Sequence, residues 1–129
     1  MKNTTYKIPE SVLVVIYTPQ LDVLLLERAD RPAFWQSVTG SKDDINEELG
    51  LTAHREVIEE TGINTHLFDL QDWDLSNVFE IYPVWRHRYA PGVTHNTEHV
   101  FGLYVTRDTA AQIAPREPSQ SKWLPYQAA

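Results

Sequence analysis

The chain has 129 residues, 42% of them hydrophobic and 11% aromatic, with a formal net charge of −7. This is enough for one domain with a real core and too little for two ordinary ones. The charge argues against a general nucleic-acid or membrane-surface binder, which is usually basic. It leaves room for a phosphate-bearing small molecule, because bound metal and local arginines reverse the field within one cleft.

There is no cysteine, which excludes disulfides, a thiolate nucleophile and a Cys-based zinc site. That composition is compatible with a reducing cytoplasm, the expected location. The first residues, Met1 to Lys7, lack the apolar core of a signal peptide. The longest apolar run, Val12 to Tyr17, is too short to cross a membrane.

In chain order, Ser11 to Tyr17 is rich in Val and Ile and predicts a buried strand. Pro19 to Asp22 predicts a turn, and Val23 to Arg28 a second strand completing a hairpin. Phe34 to Gly40 reads as a short aromatic strand whose terminal glycine permits close backbone approach to a ligand. Ser41 to Asn46 is polar loop. A helix is expected from about Asn46 or Glu47 to Thr61, with Asn46 as N-cap and Gly62 closing it. Ile63 to Leu70 is expected to be strand, Gln71 to Asn77 turn-like, and Val78 to Tyr82 and Val84 to Tyr89 strand. Ala90-Pro91-Gly92 marks a turn. Glu98 to Thr106 predicts a strand, Asp108 to Ile113 a short helix and Lys122 to Leu124 a last strand.

The helix carries the chemistry. At about 100° per residue, Glu56, Glu59 and Glu60 fall on one side with Arg55 beside them, and Leu51, His54, Val57, Ile58 and Thr61 fall on the other. Acidic neighbours at i,i+3 and i,i+4 repel by a few tenths of a kcal/mol per pair. A hard divalent cation is a natural reason for such a face, since Mg²⁺ takes carboxylate oxygens together with substrate phosphates. Arg55 stands at i,i+4 from Glu59, placed to orient that carboxylate. A solvated helix face with a salt bridge is the plainer reading.

Gly40, Glu47 and the run Arg55-Glu56-Val57-Ile58-Glu59-Glu60-Thr61-Gly62-Ile63 closely resemble the Nudix box, the signature of pyrophosphohydrolases that cut nucleoside diphosphates linked to another group. One feature departs from it: six residues, Ser41 to Asn46, separate the glycine from the first glutamate where the family has five. Phe34 to Gly40, Arg86 to Val93, Asn96-Thr97-Glu98 and Lys122-Trp123-Leu124 further resemble the dihydroneopterin triphosphate pyrophosphohydrolase branch, which serves folate synthesis. The resemblance implies an α+β fold, a Nudix-type α/β/α sandwich with a mixed central sheet, as one domain over residues 1–129. Members of that branch continue into a C-terminal helix, which is expected to be absent here.

What the resemblance implies for the residues follows. Glu56, Glu59 and Glu60 hold Mg²⁺ (Mn²⁺ as a substitute), with the Gly40 carbonyl as a further ligand. Glu117 is the candidate base and a further metal contact, with Glu98 in reserve. Lys7, Arg28 and Thr39 lie near phosphates or base, although Lys7 and Arg28 read equally as solvated strand ends. Phe79, Glu80, Ile81 and Tyr82 wall a pterin pocket, or, for the aromatics, pack in the core. Arg86 and Arg88 steer a triphosphate or are solvated strand residues. The expected activity is Mg²⁺-dependent release of pyrophosphate from dihydroneopterin triphosphate, by a monomer or homodimer acting on a phosphorylated small molecule without nucleic-acid or membrane partners. A broader nucleoside triphosphate pyrophosphohydrolase, and an inactive nucleotide-binding module, are the alternatives.

Overall fold

The computed structural model describes residues 6–27, 35–106 and 121–125. Its centre is a mixed sheet. Strand β1 (Glu10–Tyr17) runs parallel to β6 (His95–Tyr104) along its whole length, from Glu10 opposite Thr97 to Tyr17 opposite Tyr104. On its other side β1 meets β2 (Asp22–Glu27) at Tyr17/Val23 and then β4 (Val38–Ser41) from Val14/Val38 to Ser11/Ser41. The predicted hairpin is present, closed by Leu21 N–H donating to the Thr18 carbonyl at 2.8 Å. Strand β7 (Ser121–Pro125) lies antiparallel to β2, and β5 (Asp69–Glu80) forms the edge beyond β6.

Side chains alternate along β1. Val12, Val14 and Ile16 are fully buried and face the single α-helix described, α1 (Leu49–Thr61), through Ala53 and Val57. Leu24, Val38, Phe101 and Leu103 complete this core. Among the described residues, no helix is long and apolar enough to cross a membrane.

Several expected elements differ. Phe34 to Gly40 is not one strand: Trp35–Gln36 (β3) pairs with β2, while β4 pairs with β1, the break falling at Ser37. The helix starts three residues after the expected N-cap, with Glu48 as N-cap and no side-chain cap bond. Asn46 instead donates its N–H to Asp44 Oδ1 at 2.7 Å, because residues 43–47 fold into tight turns around the Glu47 carboxylate. Gly62 does close the helix, in the left-handed region with φ 78°.

Thr65–Leu67 is a 3₁₀ turn, and Gln71 to Asn77 belongs to β5. The polar run that looked like a turn is a strand interrupted by a bulge between Asp72 and Leu75, with Asp74 at φ 56°. Pro83–Arg88 is a 3₁₀ helix, since Pro83 sits where its missing N–H costs nothing, at a helix start. The alternation that put Arg86 and Arg88 on one strand face therefore does not apply. The helix expected over Asp108 to Ile113 lies outside the described residues.

The bulge turns Trp73 onto the neighbouring strand. A Cβ at Gly102 would lie 2.0 Å from the Trp73 ring, and the same indole meets Tyr17 at 6.0 Å between ring centroids. Gly102→Ala is expected to expel the indole and lower stability by about 1–3 kcal/mol, the range for overpacked sites. Urea unfolding followed by tryptophan fluorescence measures this; an unchanged midpoint would show that the ring is not seated on the strand.

Candidate active site and acidic helix face

The Arg55 guanidinium is the hub of the site. Its Nε and Nη2 donate to the two oxygens of Glu47 at 3.2 and 3.1 Å, Nη2 also to the Ser41 carbonyl at 3.0 Å, and Nη1 to Glu56 Oε2 at 2.8 Å. Asp43 Oδ2 is 3.2 Å from Nε. Glu59, the partner expected from helical spacing, is the farthest of the set at 3.8 Å, and its side chain is 58% exposed. Arg55 thus holds its neighbour Glu56 and reaches back towards the loop before the helix more closely than it meets Glu59.

Glu47 is fixed from two further directions, by its own loop and by the helix. The Asp43 N–H and the Thr52 hydroxyl each donate to Oε1 at 2.9 Å. The extra loop residue therefore leaves Glu47 bonded to Arg55. Arg55 hydrogen bonding, aided by these donors against some desolvation, holds the Glu47 carboxyl at about 2, below its ordinary 4.5. Its partner Arg55 is pushed upward, chiefly by the same bond.

Glu56 is in the opposite condition. It folds over the strand end so closely that a Cβ at Gly40 would sit 1.9 Å from the Glu56 carboxyl carbon. Only glycine leaves this space. Its side chain is 13% exposed. Burial pushes its carboxyl up, against the lowering effects of a hydrogen bond with Glu60 and of Arg55. Two carboxylates in hydrogen-bond contact need a proton or a cation between them. From the apolar side of the helix wheel, Val57 and Thr61 are buried as expected, joined by Thr52 and Ala53, whereas Leu51 and Ile58 are exposed, a rotation that brings Glu56 over Gly40.

A divalent cation suits this donor set. The carboxylates are hard oxygen donors, and Glu56 is crowded against Glu60. Among the described residues no group of three or more acidic or histidine side chains is gathered closely enough to cage an ion alone. The described side chains suit a hard divalent cation that keeps waters and shares substrate phosphates.

Beside the acidic face opens a cleft of about 470 Å³. Of the residues expected to contact substrate, Lys7, Thr39, Phe79, Glu80, Ile81, Tyr82 and Arg88 line it, as do Gly40 and Glu98. Lys7 is carried there by its backbone bond to the Arg88 carbonyl at 2.8 Å and by its ammonium lying 5.6 Å from the Tyr89 ring centre. Thr39 accepts from Gln36 Nε2 at 3.0 Å. Arg86 is not in the lining: it donates to Glu80 Oε2 at 2.6 Å and to the Ile81 carbonyl at 3.0 Å, bracing the wall and engaging the carboxylate expected to read the head group. Glu98 is half-buried, and burial pushes its carboxyl up. Arg28 and Glu117 lie outside the described residues.

Sequence reasoning missed Ser11, Gln36, Trp85, Tyr89 and Asn96 as lining residues. For Asn96 a signal existed. With β6 beginning at His95 rather than Glu98, strand alternation puts Asn96 on the same face as Glu98.

The NUDIX domain family matches residues 7–129. The chain belongs to the Nudix family. It is 46% identical to the dihydroneopterin triphosphate diphosphatase of Escherichia coli K12 over 132 residues, covering all of this chain and 86% of that protein. It is 47% identical over 109 residues to the enzyme of the same name from Haemophilus influenzae, covering 80% of this chain and 66% of that one. The solved E. coli dihydroneopterin triphosphate pyrophosphohydrolase superposes with a TM-score of 0.85 at 45% identity, over 97% of this chain and 86% of that one. A NUDIX hydrolase from Listeria monocytogenes shares the fold, with a TM-score of 0.74 at 22% identity over 94% and 80% of the two chains.

The Nudix helix thus depends on an ion pair that titrates. A carboxyl depressed in the folded protein stabilises it above the ordinary value, and that contribution is lost as pH falls through the folded one. Glu47→Gln is expected to lower the thermal midpoint near neutral pH, with the gap to wild type closing between about 4.5 and 2 as the native carboxylate takes up its proton. A gap constant across that window would remove Glu47 from the ion pair.

Proposed function

We propose that this Nudix enzyme hydrolyses dihydroneopterin triphosphate to dihydroneopterin monophosphate and pyrophosphate with Mg²⁺, Mn²⁺ substituting. The observation that carries the reading is the cleft itself. Its lining joins Gly40, which packs against Glu56 of the acidic helix, with the cations Lys7 and Arg88 and the Phe79–Tyr82 segment. A molecule with a flat head and a phosphate tail matches that combination of apolar surface, cations and neighbouring acidic face. The diphosphatase name of the two relatives above supports the same substrate.

Phosphoanhydride hydrolysis needs neutralised phosphate charge and an activated water. A divalent cation supplies both when bound, by Lewis acidity and by lowering the pKa of its water. Glu56, Glu59 and Glu60 would hold it, with the Gly40 carbonyl as a further donor. Arg55 holds Glu56 and Glu47 in place and leaves Glu59 the more exposed. Lys7 and Arg88 counter the charge of the tail. Glu98 is the described candidate for the base: it lines the cleft, and its upward shift moves it toward the range in which a carboxylate accepts a proton usefully near neutral pH. Glu117 is the other candidate.

Two experiments test this. Glu60→Ala is expected to lower kcat by more than about 100-fold, beyond the range for residues that only support metal ligands, while leaving the fold intact by circular dichroism. Turnover of the pterin triphosphate in ¹⁸O-water should give monophosphate and pyrophosphate alone, the label naming the attacked phosphorus. Equal kcat/KM for several nucleoside triphosphates would sink the pterin assignment. For the base, Glu98→Gln and Glu117→Gln are compared: the true base is the one whose loss removes the acidic limb of the kcat pH profile along with most of kcat.

A further inference from the structure

Asn96, one of the residues lining the cleft, carries an unmet hydrogen-bonding group. Its side chain is almost wholly buried, 2% exposed. Its Nδ2 donates to Ser11 Oγ at 2.8 Å, a bond between β6 and β1 that fixes the amide. Its Oδ1 is buried without a hydrogen-bond partner, and it is the one such side-chain atom among the described residues. Folded proteins rarely leave a buried amide oxygen unmet, and where they do a functional reason is worth seeking. A carbonyl oxygen offers two lone pairs and can only accept.

The surroundings say what kind of donor it awaits. Asn96 and Ser11 both line the cleft. Phe79 is the register partner of Asn96 across the β5–β6 ladder, so the two side chains stand side by side on one face of the sheet. Phe79 is 43% exposed, its ring available to a flat ligand. An apolar aromatic wall with one fixed acceptor beside it is the usual make-up of a site that orients a heterocycle. Glu80, the carboxylate expected for this task, is already engaged by Arg86.

We propose that the Asn96 side-chain carbonyl is the specificity-determining acceptor of the cleft, taking a hydrogen bond from an N–H of a nitrogen heterocycle that lies against Phe79. This deepens the proposed function and rests on its assignment of a heterocyclic triphosphate as substrate. Ser11 is a positioning residue that acts through the Asn96 amide.

The test uses the head group without its phosphates, so that it does not depend on turnover. Binding of dihydroneopterin is measured by calorimetry to the wild-type protein and to Asn96→Leu, a substitution of similar size without the acceptor. The leucine variant is expected to bind it about 10- to 100-fold more weakly, the loss typical of one hydrogen bond to a buried acceptor, and to bind inorganic pyrophosphate with Mg²⁺ as wild type does. In parallel, wild-type protein is offered dihydroneopterin methylated at ring N3, and separately dimethylated at the 2-amino group. One of these is expected to lose a similar factor on wild type and nothing further on Asn96→Leu.

Equal loss of dihydroneopterin and pyrophosphate binding would mean a merely structural role and would overturn the inference. So would undiminished binding by Asn96→Leu, no binding of dihydroneopterin to wild type, or no penalty for either methylated ligand. If the leucine variant does not fold, the methylated ligands on wild type decide alone. Hydrolysis of dihydroneopterin triphosphate by wild type, assayed separately, reports whether the substrate assignment itself holds.

Discussion

Beyond its apolar packing through Ala53 and Val57, the Nudix helix is tied to the sheet by one guanidinium. Arg55 joins the Ser41 carbonyl at the end of β4 to Glu47 before the helix and to Glu56 within it. Hydrogen bonds to charged groups contribute more than neutral ones, and a planar fork with several donors matches several acceptors without further ordering. Lysine could not satisfy this geometry, having a point charge in place of a fork. The interaction also sets the division of labour among the acids. Glu47, held well below the usual carboxylate range, keeps its charge and fixes Arg55. Glu56 receives part of the guanidinium and remains crowded against Glu60.

The same arrangement explains why the strand before the helix ends in glycine. Gly40 is register partner to Val12 on the fully buried face of β1, and the Glu56 carboxyl occupies the space a side chain would fill. A carboxylate pressed against backbone loses water, which raises the cost of its charge. Arg55 offsets part of that cost. Packing and electrostatics are therefore not separable here: the closeness that buries Glu56 also raises the cost of its charge.

Much of this was legible in the sequence where the signal was local and repeated. The acidic face of Glu56, Glu59 and Glu60, the C-terminal glycine of the helix and the Val- and Ile-rich β1 follow from periodicity and composition, and each is present. Elements whose form depends on distant partners were not legible. The polar stretch from Gln71 to Asn77 reads as turn, but β6 supplies a ladder for it and the bulge at Asp74 absorbs the misfit. The start of the helix was read from Asn46 as a cap, whereas the loop is arranged around a carboxylate that answers to an arginine eight residues on. The likeliest partner of Arg55 by spacing, Glu59, is outcompeted by Glu47 and Glu56 because tertiary contacts offer shorter bonds than an exposed i,i+4 pair.

The cleft shows the two kinds of information side by side. Its charged lining includes residues that announce themselves, Lys7 and Arg88, beside the helix acids. Its uncharged lining includes Ser11, Phe79 and Asn96, which come from three strands. Each of the three has an unremarkable structural reading in sequence, and they meet only because β1 lies parallel to β6 and β5 antiparallel to it. An unmet acceptor is a property of that meeting, since a donor from any neighbouring strand would have cancelled it. The uncharged lining of the cleft is thus a feature of sheet register, while the acidic face is a feature of helix period, and a sequence displays the second far more openly than the first.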